Sequence, residues 1–364
     1  MADRLAAQNA LFDEQYESDL RNYPQRATAF GDYRYNDRLN DYSLDAIMRQ
    51  HQTDESFLAR LEAISTAGFS DQDQLSHDLL IRVLQQRITD FNFKEYEMPI
   101  NQQSGIHTSL ADLPMAVPLD SVKHYEDYIA RLHQIPRALS QVTEVLRAGM
   151  KDKLMPVRFL AEKIPAQCDG IIAADPFLRP TKRYPASIST EEQKRLTQEI
   201  TEAINSDVLP AYKNFATFIR TEYAPQGRTT LSITSLPDSE KRYEHDIYAR
   251  TTTHMTPDEI HQLGLREIDR IEAEMTVIAK KKASRIWPRS ALLLRQTPNT
   301  SLPRPNRSST IFGITSRKWS PSFRNCLHCC PNPRLWSRPF RSFRRRQPPT
   351  MSPALPMASG RAEL

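Results

Sequence analysis

The feature that most limits what this chain can fold into is a step in composition near residue 281. From Lys281 to Leu364 the sequence carries 17 Lys/Arg against one acid, Glu363, together with 12 of the 26 prolines and all three tryptophans. Residues 1–280 carry 32 basic and 43 acidic residues and only seven of the nine glycines. Such a step is far sharper than chance drift within one domain. The two parts are therefore read separately, as a region over 1–280 and a basic Pro/Arg/Ser-rich tail over 281–364 that is expected to be irregular and disordered.

Apolar residues recur every three or four positions through long parts of 1–280, which is the period of a helix with one buried face. After Ser70, "SDQDQLSHDLLIRVLQQRITDF" places Leu75, Leu79 and Val83 on one stripe, with Leu80, Leu84 and Ile88 beside it. In "SVKHYEDYIARLHQIPRALSQVTEVLRAG", Val122, Tyr125, Ile129, Leu132, Leu139, Val142 and Leu146 face one way, and Pro136 is expected to kink or divide the helix. Further helices are expected from about Asp3 to Leu20, Ser43 to Ile64, Thr190 to Asn205 and Val208 to Glu222. No stretch sustains the alternation of a half-buried strand, so the fold class is all-α, a large multi-helix domain.

The clearest helix start is "TTTHMTPDEIHQLGLREIDRIEAEM". Thr256 is suited to the N-cap, Pro257 to the first helical position, and Glu259 to the reciprocal place in a capping box. Ile260, Leu263, Ile271 and Met275 then descend one side, interrupted by Glu267, with Ile268 and Ile278 adjoining.

The sequence offers little chemistry by motif. None of the nine histidines begins a His-Glu-x-x-His pair, which sets two zinc ligands one helical turn apart, and no phosphate-cradling glycine loop or Gly-x-Ser-x-Gly elbow is present. No catalytic or metal residue is therefore assigned. "CLHCC", Cys326 to Cys330, clusters soft ligands too tightly to wrap one tetrahedral ion and lacks a second ligand pair. Candidates for a substrate groove are His107, Tyr243, Thr252 and His261. The run Thr251 to Thr253 reads equally well as hydroxyls lining a peptide groove or as a loop into the Thr256 cap, and His254 and His261 read more simply as surface or packing residues. The segment Tyr96 to Pro118 is long and rich in turn formers, the profile of a functional loop or of a packed surface loop. No run is long and apolar enough to span a membrane, and the acidic amino terminus lacks the apolar core of a secretory signal, so a cytoplasmic location is expected for the chain as written.

Four segments carry a resemblance: "GDYRYNDRLNDYS" (Gly31 to Ser43), "INQQSGIHTSL" (Ile100 to Leu110), "HYEDYIARL" (His124 to Leu132) and, most specifically, "TTTHMTPDEIHQLGLREIDRIEAEM" (Thr251 to Met275). Together they resemble the bacterial family designated domain of unknown function 885, over nearly all of residues 10–280. The resemblance implies a largely helical, zincin-like protein, a zinc-dependent peptidase acting on peptides. Its metal motif, similar to His-Glu-x-x-x-His, lies far toward the carboxyl end. It also implies that intact members hold zinc and that many are exported or lipid-anchored, which this amino terminus does not match.

After Met275 the sequence departs from that pattern. Reading the third base of each permitted codon with the first two of the next, "PNRSSTIFGITS" (Pro305 to Ser316) can spell EQILDDFRHYI and "SRIWPRSA" (Ser284 to Ala291) can spell ADLAAF. "SFRNCL" (Ser322 to Leu327) and "ALPMASGRA" (Ala354 to Ala362) can likewise spell KLPELF and SPDGKRPG, all in one frame and in family-like order. The expectation is a chain translated out of frame from about Lys281, through a mutation or a sequencing error. Such a chain would be the amino-terminal fragment of a zinc peptidase, inactive for want of its zinc motif. The competing reading is a helical binding protein whose basic arm contacts nucleic acid or acidic partners through phosphate neutralisation and aromatic stacking; the out-of-frame origin explains the tail without a nucleic-acid partner.

Overall fold

Serine caps set the frame of the fold. Ser43, Ser70, Ser121 and Ser189 each accept a hydrogen bond from the backbone N–H three residues on and so begin four helices. A computed structural model describes residues 1–282. Its helices are α1 (Ala2–Asn22), α2 (Pro24–Phe30), α3 (Leu44–Glu62), α4 (Asp71–Asn92), α5 (Ile106–Ala111), α6 (Leu113–Ala116) and α7 (Val122–Lys151). They continue with α8 (Arg158–Ala161), α9 (Ile164–Ala174), α10 (Thr190–Ala203), α11 (Leu209–Phe218), α12 (Ser239–Thr251) and α13 (Pro257–Lys282). Among the described residues there is no strand, and a single isolated bridge joins Val157 to Arg228. The all-α reading therefore holds. Met1–Asp269 form one compact unit, and a second begins at Arg270, within α13.

The main core is built around α7. Tyr125, Ile129, Leu132, Leu139, Val142 and Leu146 are buried against side chains of α9, α10 and α11, as their spacing predicts. Pro136 does not divide the helix, which runs unbroken through it. Thr190 to Glu222 also differs from two separate helices: α10 passes into α11 through a π turn, Ile204–Val208, where the Leu209 N–H reaches back to the Ile204 carbonyl. Pro210, at the start of α11, has no N–H to complete an ordinary turn, and the wider turn accommodates it.

A smaller core of Leu11, Phe57, Leu61 and Leu84 joins α1, α3 and α4. Here one expectation is corrected. Leu75, Leu79 and Val83 are 51%, 50% and 43% exposed, whereas Leu84 is fully buried. Two adjacent apolar stripes run along α4, and the one with Leu80 and Leu84 is the one that meets α1 and α3.

Arg131, on the buried side of α7, ties the amino-terminal segment to the core. Its Nε donates to the Arg38 carbonyl at 2.8 Å, and its Nη2 donates to Thr28 Oγ1 at 2.6 Å and to the carbonyls of Tyr35 and Pro24 at 3.3 and 3.4 Å. Burial pulls this guanidinium down to about 10, opposed by the nearby Asp127 and Asp37.

Tyr96 to Pro118 is not an open loop. It folds into a 3-10 turn and the short α5 and α6, and places Ile100, Ile106, Leu110 and Leu113 in the main core. Of the two alternatives for this segment, packing describes most of its length.

Candidate functional site

The four groove candidates fall in two places. His107 lies on α5, fully buried, with its Nε2 3.1 Å from Gln167 Oε1 and its carbonyl accepting from the Tyr212 hydroxyl at 2.8 Å. Burial lowers its pKa, with the Gln167 bond acting the other way. A neutral imidazole enclosed in this way positions α5 against α9 and α11, and no ligand reaches it in this conformation. Its Nδ1 has no partner.

Tyr243, Thr252 and His261 lie together in sequence on α12, its exit and α13, and all three are exposed. α12 itself is held firmly. Arg242, on the buried side of α12, donates to the Pro237 carbonyl at 2.8 Å, to Glu95 Oε1 at 2.6 Å and to the Phe93 carbonyl, and stacks over the Phe93 ring. His245 Nε2 lies 2.6 Å from Asp90 Oδ1, and Arg82 caps the Tyr248 ring at 5.6 Å. These contacts clamp α12 to α4 and the turn that follows it.

The threonine run terminates α12. Thr252 takes a left-handed conformation, φ 62°, and its N–H donates to the Tyr248 carbonyl. Thr251 Oγ1 donates to the Ile247 carbonyl at 2.7 Å and lies 2.8 Å from the Thr253 hydroxyl, while the His254 ring stacks on Tyr248 at 4.7 Å. The hydroxyls of Thr251 and Thr253 are thus committed to the helix exit, which supports the cap reading over the groove reading for those two. Beyond it the capping box forms as its sequence predicts: Glu259 N–H donates to Thr256 Oγ1 at 3.2 Å and Thr256 N–H to Glu259 Oε2 at 2.8 Å. The Thr256 N–H and hydroxyl, both donating to the Glu259 carboxylate, lower its pKa.

The apolar stripe of α13 stands open. Leu263, Ile268, Ile271, Met275 and Ile278 are exposed, between 38% and 56%. The pattern is that of a helix with a buried face, yet nothing among the described residues covers it.

A perturbed carboxyl that motif reasoning passed over is Glu97. It is almost fully buried where the 3-10 turn Glu95–Glu97 meets α7, and its Oε2 lacks a partner. Burial raises its pKa, the Asp152 carboxylate adds to the shift, and Lys94 and Arg242 oppose it. The signal that could have found it is Gly149 on α7, where a Cβ would stand 2.6 Å from the Glu97 carbonyl oxygen, so the two backbones approach as only glycine allows.

No three His, Cys, Asp or Glu side chains converge as a metal site among the described residues. His245 with Asp90, His133 with Asp207 and His124 with Asp120 are each one imidazole against one carboxylate, at 2.6 Å in every case. A catalytic zinc takes three protein ligands, so these pairs do not fit it. "CLHCC" lies outside the described residues.

The model of the family described as "Bacterial protein of unknown function (DUF885)" matches residues 24–305. This chain belongs to the DUF885 family. The match continues past residue 281 into the basic segment. Among solved structures, the DUF885 chain is similar to a crystal structure described as "the putative lipoprotein from Colwellia psychrerythraea", with a TM-score of 0.69 and 18% identity. The similarity covers 81% of this chain and 54% of that one, so the DUF885 chain spans about half the length of the protein it matches. At that identity the likeness establishes the fold. No curated protein sequence matches significantly. No described helix is long and apolar enough to cross a membrane.

Proposed function

We propose that residues 1–280 are the amino-terminal helical part of a peptidase-type DUF885 protein, and that this chain does not itself hydrolyse peptides. The observation that carries the reading is the uncovered apolar stripe of α13, together with a structural relative about twice as long as the matched region. A capped amphipathic helix of 26 residues draws most of its stability from packing its apolar face, and this one ends the described residues with that face open. The remainder of a DUF885 fold is the natural cover for it, and on the family resemblance it would also bring the zinc ligands and the glutamate that activates a metal-bound water.

In this reading the body supplies a rigid helical scaffold for a peptide groove rather than the chemistry. Tyr243, Thr252 and His261 stand exposed on α12, its exit and the start of α13, of which α12 is anchored to α4, and they remain the candidates for substrate contact. The basic tail from about Lys281 is read as out of frame; the family match in the given frame to residue 305 runs against a start that early, so codons 276–310 are those to resequence first. An intact single frame there, with the same tail in close relatives, would remove that part of the proposal. The test of the whole reading is metal content: after dialysis against excess zinc and gel filtration, the purified chain is expected to retain well under one zinc per molecule. A stoichiometric, histidine-bound zinc would overturn it.

A further inference from the structure

A cleft of about 530 Å³ opens where the end of the 96–118 segment meets the turn after α9. Its apolar lining includes Pro114, Leu119, Pro180, Pro185 and Ala186. Tyr125 and Tyr184 also belong to the lining, their rings stacked 4.9 Å apart. Both hydroxyls are already engaged, Tyr125 with the Pro180 carbonyl at 3.2 Å and Tyr184 with Thr197 Oγ1 at 2.9 Å. Tyr125 is buried, so what the pair offers a ligand is the half-buried ring of Tyr184 rather than a free hydroxyl. The polar groups of the cleft are two guanidiniums, Arg179 and Arg183.

Like Arg21, Arg250 and Arg266, these two exposed arginines lack the carboxylate partner that many surface arginines of this acidic body have among the described residues. Arg34 pairs with Asp32 and Glu17, Arg60 with Glu14, Arg147 with Glu222, Arg195 with Glu126, and Arg220 with Asp169. Arg179 touches only Met115 Sδ, at 3.0 Å, and Arg183 makes no hydrogen bond or ion pair with the described residues. Two forks of charge beside a half-buried aromatic ring and three prolines place polar groups that fix orientation next to apolar surface, the combination a small-molecule site uses. A guanidinium recognises carboxylate and phosphate oxygens in a planar, two-point geometry.

We propose that this cleft binds a small aromatic ligand bearing one oxyanion, the ring lying on Tyr184 and the oxyanion held between Arg179 and Arg183. The inference stands apart from the peptidase reading, since it uses neither the exposed residues of α12 and α13 nor any metal. The test titrates the full-length chain with phenyl phosphate, benzoate and neutral benzamide at low salt, followed by ligand-observed NMR. Saturable binding of at least one of the two anions is expected, with benzamide at least 10-fold weaker, and the stronger anion tells phosphate from carboxylate recognition. The double substitution Arg179→Gln, Arg183→Gln is expected to weaken the anion about 10-fold, equivalent to about 1.4 kcal/mol. Both side chains are exposed, so the fold should survive, and an unchanged circular dichroism spectrum confirms it. Tyr184→Leu should weaken anion binding without abolishing the preference over benzamide. Equal affinity for benzamide, absence of saturable binding, or anion binding that the double substitution leaves intact, as binding to the basic tail would be, overturns the proposal.

Discussion

Replacing Arg131 by methionine tests the physical account of the fold at its most exacting point. The side chain is buried, and its guanidinium is the donor for four oxygens on the amino-terminal segment. Not all of these would be stranded. The Pro24 carbonyl and the Thr28 hydroxyl still have each other at 3.0 Å, and the Tyr35 carbonyl still accepts the Arg38 N–H at 3.1 Å. The Arg38 carbonyl loses its 2.8 Å donor outright. An abandoned buried acceptor costs about 1–3 kcal/mol, and the weakened charge-assisted bonds add roughly 1–2 kcal/mol. Relief of the buried charge, the same burial that pulls the guanidinium down to about 10, offsets part of this. The expected net loss is about 3 kcal/mol, which for a unit of this size lowers Tm by roughly 6–10 °C. Arg131→Lys keeps the charge but cannot span the same oxygens, so it should lose nearly as much. Urea and thermal unfolding by far-UV circular dichroism give both values. A Tm change below about 2 °C for methionine, or full rescue by lysine, would show that the fan of hydrogen bonds does not hold this segment.

Three further perturbations follow from the same contacts. Gly149→Ala places a Cβ 2.6 Å from the Glu97 carbonyl and 3.2 Å from the Leu154 carbonyl, both backbone atoms. It should cost about 2–3 kcal/mol by overpacking, read by denaturant titration, whereas Gly170→Ala, with nothing within 4 Å, should be neutral or stabilising. Glu97→Gln should raise stability near pH 7, because burial holds the folded carboxyl pKa above its unfolded value and the charged form is the disfavoured one. The folded state then binds the extra proton between the unfolded and folded pKa values, so the wild type loses stability as pH rises through that window. The advantage of glutamine should vanish below about pH 4, where the carboxyl is neutral in both states, and a benefit that persists there would contradict the assignment. Arg242→Met removes the donor to Glu95 and to the Phe93 and Pro237 carbonyls, and tryptic cleavage within residues 239–282 should accelerate about 10-fold while cleavage elsewhere is unchanged.

Much of the helical layout could be read from the sequence because its signals are local. The capping box at Thr256 and Glu259 and the seven-residue apolar face of α7 act within a few turns, and both appear in the structure as the spacing implies. Orientation was less legible. On α4 two stripes satisfy the same period, and only the position of α1 and α3 decides that Leu84 is buried and Leu79 is not. The same limit applies to Arg131, since periodicity marks apolar positions and is silent about a charged residue on the buried face. Helices as short as α5 and α6 fall below the length at which periodicity is visible, which is why Tyr96 to Pro118 reads as a loop. Of the site candidates, the cap role of the threonine run follows from its chemistry, whereas the burial of His107 depends on Gln167 and Tyr212, 60 and 105 positions away.

The most direct measurement of the central claim is peptide hydrolysis by the purified chain, followed by mass spectrometry on a diverse peptide library with and without a chelator. The account predicts no cleavage above background in either condition. Cleavage that zinc restores after chelation would show that this chain carries an active site of its own, and would contradict it.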